Sequence, residues 1–152
     1  MTDTLEARIE ARLKRNFPIY DYVGLEIESA SDGIYRCAVP LRESNVNHIA
    51  TVHAAIQWAA AEVLGGMVVM SVFGSEPVFA VVTKVSIDFT RPARSAIRAE
   101  TLLAEAEAAH LRETFEHEGE AEFSLRAVIR GEDGSEVAAS EAQYLVRKPR
   151  QR

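Results

Sequence analysis

The stretch Asn47-His48-Ile49-Ala50-Thr51-Val52-His53-Ala54-Ala55 runs on into Ile56-Gln57-Trp58-Ala59-Ala60-Ala61-Glu62-Val63-Leu64-Gly65-Gly66-Met67-Val68-Val69-Met70, and its reading decides the fold. After His53 the side chains are apolar all round a helical wheel, with Gln57 and Glu62 the only polar interruptions before Ser71. A helix apolar on every side belongs in a core or a bilayer. An ionised Glu62 inside such a helix carries a heavy desolvation cost unless it has a partner, which makes its carboxylate the first candidate for chemistry. The helix is expected to begin near His53 and to stop at Gly74-Ser75-Glu76-Pro77, where glycine and proline give a stop signal. Ala54 to Phe73 approaches the length of a membrane span. The central glutamate, the glycine pair and the missing interfacial anchors favour a protein core over a membrane.

Upstream, Asp3 and Glu6 have the spacing of a capping box, and Leu5, Ile9 and Leu13 recur every four residues before Phe17-Pro18. This predicts an amphipathic helix over about 4–16 whose Glu and Arg face is solvated. Gly24 to Glu28 and Gly33 to Leu41 read as strands around the turn Ser29-Ala30-Ser31-Asp32-Gly33. Downstream, Val78 to Thr90 reads as a long strand. Its first half is apolar on both faces, as in a strand covered on both sides, and its second half alternates. Arg91-Pro92-Ala93-Arg94-Ser95 is a turn and Ala96 to Ala104 a strand. Glu105 to Glu118 is a surface helix with Leu111 and Phe115 at i,i+4 and Gly119 as its stop. Ala121 to Arg130 and Glu136 to Arg147 flank the hairpin turn Gly131-Glu132-Asp133-Gly134. The order predicts an α+β fold, an antiparallel sheet wrapped around one long central helix, in a single domain over 1–152 with its core over about 24–147.

A length of 152 residues with 47% hydrophobic and 26% charged side chains is that of an ordinary globular chain. A formal net charge of −6 and no long basic run oppose nonspecific nucleic-acid binding. Cys37 is the single cysteine, so no intrachain disulfide forms. The start Met1-Thr2-Asp3-Thr4-Leu5-Glu6 lacks the basic and apolar parts of a signal peptide, and the expected compartment is the cytoplasm.

The central motif, then Glu62, then Thr83-Lys84-Val85-Ser86-Ile87-Asp88-Phe89-Thr90-Arg91-Pro92-Ala93 resembles the hotdog-fold acyl-CoA thioesterases of the phenylacetyl-CoA thioesterase type, and in particular a branch of uncharacterised hotdog domains. The likeness runs from about Gly24 to Val146. It implies that the long helix is the sausage, the sheet the bun, and that two chains pair their sheets into a dimer, or a dimer of dimers. Glu62 falls nine residues after His53, where the family places a helix-borne general base or nucleophile. Asn47 falls six before His53, where a side-chain amide orients the water or the thioester. His53 heads the family's His-Gly-Gly signature, with Ala54 and Ala55 in place of the glycines; their N–H groups remain as the implied oxyanion hole, and the added methyls narrow the approach. Gly66 stands where some relatives carry Ser or Thr.

At 1.5 Å rise and 100° per residue, nine residues put His53 and Glu62 roughly 13 Å apart along the axis and about half a turn around it. If both serve one site, a second chain must complete it. Gly65 and Gly66, beside Glu62 on the next turn, leave room for an acyl group or let a neighbouring element pack closely. The implied reaction is hydrolysis of an acyl-CoA thioester, with the first-turn amides at the oxyanion and Glu62 taking a proton from water or attacking the carbonyl itself. Arg91 and Arg94, with Lys84 or Lys148, are candidates for the CoA phosphates. No cofactor is expected, since CoA belongs to the substrate.

The alternative is a non-catalytic module that binds an acyl chain or CoA ester; a dehydratase acting on a hydroxyacyl thioester is a third reading. Structural readings stand beside each residue: Glu62 paired with Gln57 or a neighbouring chain's histidine, and His48 and His53 holding the loop that leads into the helix. Trp58, Met67 and Met70 read as core or dimer packing. His48 and His53 lie outside the i,i+4 spacing of a metal-binding helix, and no cysteine joins them. Cys37 has no local activating partner.

Overall fold

A computed structural model describes residues 3–151; Met1, Thr2 and Arg152 lie outside it, and with them the ends of the expected 1–152 span. The chain folds as α1 (Leu5–Asn16), α2 (Pro18–Tyr22), β1 (Glu26–Ser31), β2 (Ile34–Val39), α3 (Ala54–Phe73), β3 (Phe79–Phe89), β4 (Ile97–Leu102), α4 (Glu105–Glu118), β5 (Glu120–Gly131) and β6 (Glu136–Arg147). The six strands form one antiparallel sheet in the order β1-β2-β4-β5-β6-β3, and α3 packs against all six. Its 20 residues have no polar face because the sheet curls round them: Ala60, Ala61, Leu64, Met67 and Val68 are buried together with Cys37, Ile97, Ala99, Ile129 and Val146. The only described helix long and apolar enough to cross a membrane is therefore the core of this sheet.

One stripe of α3 escapes full cover. Ala55, Ala59, Glu62, Gly66 and Met70 follow each other at steps of three or four residues and are all partly or fully exposed. Over its middle lie α1 and α2, which put Leu13 against Gly66 and Tyr20 against Glu62.

Three expectations change at the N-terminal end. The N-cap of α1 is Thr4, whose Oγ accepts from the Ala7 N–H at 3.2 Å, one residue after the expected Asp3. The acidic face of α1 is not merely solvated: Glu10 accepts from the Ile27 N–H at 2.8 Å and Glu6 from the Ala30 N–H at 3.3 Å. These carboxylates satisfy donors along the outer edge of β1, a sheet edge that would otherwise be open. The turn after β1 contracts to Asp32-Gly33, both at positive φ (55° and 74°), which carries the twist from β1 into β2.

Strand β3 forms the opposite edge. The expectation that Val78 to Val82 is covered on both sides is not met within one chain: Phe79 is 46% and Val81 37% exposed. Phe79 and Val81 alternate with Ala80, which pairs with buried Val146, so they lie on the outer face of the sheet, which no described element of the chain covers there. Strand β3 is also an edge strand, with β6 its one hydrogen-bonding neighbour.

Candidate active site

Glu62 sits on the third turn of α3 with its side chain half-buried. Within the chain its partner is not Gln57. Tyr20, on the short helix α2, donates its hydroxyl to Glu62 Oε2 at 2.9 Å. Oε1 accepts no hydrogen bond among the described residues. From the other side Tyr144 of β6 donates its hydroxyl to the Glu62 carbonyl oxygen at 2.9 Å. Its ring stacks on Phe123, with centroids 5.0 Å apart, and lies directly against Gly65. Gly65 thus serves close packing, whereas a Cβ added at Gly66 would only touch Leu13 at ordinary contact distance.

Burial pushes the Glu62 carboxyl above the usual glutamate range, and the Tyr20 hydrogen bond pulls the other way. Both tyrosines are held neutral, first by burial and then by the Glu62 charge. A carboxylate with raised proton affinity, one free oxygen and a neutral donor on the other is equipped to accept a proton.

The second group of residues gathers at the start of α3. Asn45, fully buried, donates to the Val23 and Pro40 carbonyls at 2.8 Å each, and its own carbonyl accepts from the His53 N–H at 2.8 Å. It ties the ends of α2 and β2 to the start of α3. Asn47 closes the loop that follows: Oδ1 accepts from the Ile49 and Thr51 N–H groups at 3.1 Å, and Nδ2 donates to Thr51 Oγ at 2.9 Å. Its amide is thereby engaged with its own loop, where Ala50 adopts a φ of 59°.

His53 is the exposed N-cap of α3, and its Nδ1 accepts from the Ala55 N–H at 2.9 Å. The Ala54 N–H, at the first helical position, has no acceptor among the described residues. Gln57, one turn on, is 5% exposed; its Nε2 donates to the Val52 carbonyl and its Oε1 has no partner.

The charged candidates separate. The Val52 N–H donates to the Ala93 carbonyl at 2.8 Å, which fixes the loop carrying Arg91 and Arg94 beside the residues leading into α3. Both arginines are exposed, and Arg94 lines a hollow of about 290 Å³ with Glu132 and Asp133. Lys84 lies on the outer face of the sheet, in a groove of about 380 Å³ with Arg126 and Glu141, away from the start of α3. Lys148 holds its ammonium over the Phe115 ring on α4. Trp58 is 38% exposed on α3, so it is only partly packed within one chain.

Tyr20 and Tyr144 escape a reading of the sequence alone. Phe17-Pro18 marks the end of α1, but the five-residue helix that follows is too short for periodicity to reveal; proline at its first position was the available signal.

Residues 6–146 match the domain of unknown function DUF4442, which covers most of the sequence. The chain belongs to the DUF4442 family.

No functionally curated protein matches this DUF4442 chain. Among solved structures it is similar to PA5026 from Pseudomonas aeruginosa, a protein of unknown function described as a probable thioesterase, with 29% identity, a TM-score of 0.83 and coverage of 95% of this chain and 97% of that one. The protein OLEI01261 of unknown function from Chlorobaculum tepidum gives 25% identity, a TM-score of 0.87 and 95% coverage of both chains. The thioesterase HI1161 from Haemophilus influenzae, at 18% identity and a TM-score of 0.71 over 97% of this chain and 93% of that one, shares the fold. By its likeness to these structures this DUF4442 chain has the hotdog fold, with α3 as its central helix.

Proposed function

We propose that this DUF4442 protein hydrolyses an acyl-CoA thioester as a homodimer, with Glu62 of one chain and the start of α3 from the other forming each site. The observation that carries the reading is Glu62: an acid on the partly covered stripe of an almost wholly apolar core helix, proton affinity raised by burial, with Oε1 free. Such a group is costly to the fold and useful to a reaction.

In the proposed reaction Glu62 Oε1 takes a proton from water as the water oxygen bonds to the thioester carbonyl carbon. The negative charge passes to the carbonyl oxygen, facing the Ala54 N–H of the partner chain at the positive end of its α3 dipole. Collapse of the tetrahedral intermediate breaks the carbon–sulfur bond, and the leaving thiolate recovers the proton from Glu62. Direct attack by the carboxylate, through an anhydride that water then opens, uses the same oxygen. Asn47 acts by shaping the loop before the helix, His53 by capping it. Arg91 and Arg94, next to that loop, contact the CoA phosphates. The free edge of β3, with Phe79 and Val81 exposed, is where the partner pairs. No cofactor beyond the CoA carried by the substrate takes part.

A second reading, a module that binds acyl-CoA without turnover, is favoured by the Ala55 N–H, which His53 already occupies, leaving Ala54 as the remaining oxyanion donor. Thiol release measured across acyl-CoA chain lengths, beside Glu62→Ala, separates the two. Release by the parent and its loss in the variant supports hydrolysis; ligand binding without release by the parent supports the module.

A further inference from the structure

The carboxylate of Glu62 receives its one side-chain hydrogen bond from an element outside the sheet and central helix. Tyr20 is buried, its ring edge packs against Phe17 with centroids 5.7 Å apart, and Asn45 anchors the end of α2 through the Val23 carbonyl. A phenol held this firmly restricts a carboxylate whose last torsion is otherwise broad. We propose that Tyr20 is a positioning residue of the Glu62 site, holding Oε2 so that Oε1 is presented to the reacting atoms. This rests on Glu62 being the reactive acid.

The surroundings make the effect readable. The titratable groups facing the pair are Tyr20 itself from α2, Tyr144 from β6 and, towards Tyr20, Cys37 from β2; α1 brings the apolar Leu13 against the next turn of α3. Among the described residues no cation bonds to the Glu62 carboxylate. Tyr20 is therefore the group that favours its charged form against burial. Tyr144 donates to the backbone carbonyl instead, so it holds the helix without touching the carboxylate.

The test uses the full-length chain and two conservative variants, Tyr20→Phe and Tyr144→Phe. The pH profile of thiol release is measured alongside a carboxyl carbon NMR titration of Glu62, assigned with Glu62→Gln. In Tyr20→Phe the acid limb of the profile and the NMR midpoint both move to higher pH. In the same variant kcat falls about tenfold with KM little changed, the size expected for one hydrogen bond to a charged group. In Tyr144→Phe the midpoint stays in place. Release by the parent with an unmoved midpoint in Tyr20→Phe overturns the role of Tyr20 alone. A parent that releases no thiol at any pH overturns the reaction on which the role depends, and the NMR midpoint still reports whether the phenol controls the acid.

Discussion

Tyr144 lays its ring across the backbone of Gly65, so that a Cβ added at residue 65 would fall inside the ring's van der Waals envelope. At Gly66 the nearest atom to an added Cβ is Leu13 Cδ2 at 3.7 Å, an ordinary contact. The adjacent glycines therefore differ in sign. Gly66→Ala should stabilise the fold by about 0.5–1 kcal/mol, the gain of alanine over glycine inside a helix. Gly65→Ala should destabilise it by about 1–3 kcal/mol, because overpacking against a stacked ring outweighs that gain. Urea unfolding midpoints of the two variants decide the point; equal shifts would show that Tyr144 does not press on the helix.

Burying Glu62 has a cost that depends on pH. The native state holds the Glu62 proton more tightly than the unfolded chain, whose glutamates titrate near the ordinary 4.5. Between that value and the raised native one the folded protein carries more protons, so its stability falls as pH rises through the window. Glu62→Gln keeps an oxygen for Tyr20 to bond and removes the charge. Its melting temperature should exceed the parent's at pH 8, and the difference should shrink to nothing on acidification below the unfolded value. A glutamine variant less stable than the parent at pH 8 would mean that the charged carboxylate is well solvated.

Cys37 faces the core, with its Sγ 3.3 Å from the Ala60 carbonyl oxygen and its thiol pushed up to about 12 by burial. It should resist an aromatic disulfide reagent in the native protein and react fully in denaturant, since the thiolate is the reactive form. Rapid labelling without denaturant would contradict the packing of β2 against α3. The same inertness keeps the protein's own thiol out of a thiol-release assay.

The fold was largely legible because its decisive signals are local. Gly119, at a φ of 78°, ends α4 where glycine was expected to end it, and β6 spans the predicted Glu136 to Arg147. The unpolarised pattern of Ala54 to Phe73 required a sheet on several sides, and the sheet is there. What escaped depends on contacts distant in sequence. Tyr20 meets Glu62 across 42 positions, and Glu10 meets Ile27 across a change of element. The face of α1 that looked solvated satisfies backbone donors of β1, and Asn45 satisfies the Val23 carbonyl, which periodicity does not encode.

The oxyanion donor can be removed with little disturbance. Proline is well tolerated at the first position of a helix, where its missing N–H has no helical acceptor, and His53 already has the extended backbone (φ −61°, ψ 142°) that suits a residue before proline. Ala54→Pro should therefore fold with a melting temperature close to the parent's while thiol release falls roughly 10²–10³-fold, the effect of deleting one oxyanion donor. Unchanged turnover in a folded Ala54→Pro variant would place the oxyanion elsewhere.

The most direct measurement combines two crippled chains. A heterodimer of Glu62→Gln with Ala54→Pro, purified through two different tags, carries one site with both groups intact and one with both impaired, provided each site draws its acid and its amide from different chains. The account predicts crippled Glu62→Gln and Ala54→Pro homodimers and a heterodimer that releases thiol at about half the unaltered dimer's rate, one working site of two. A heterodimer as inactive as the two variant homodimers, or a protein that stays monomeric while releasing thiol, would contradict it.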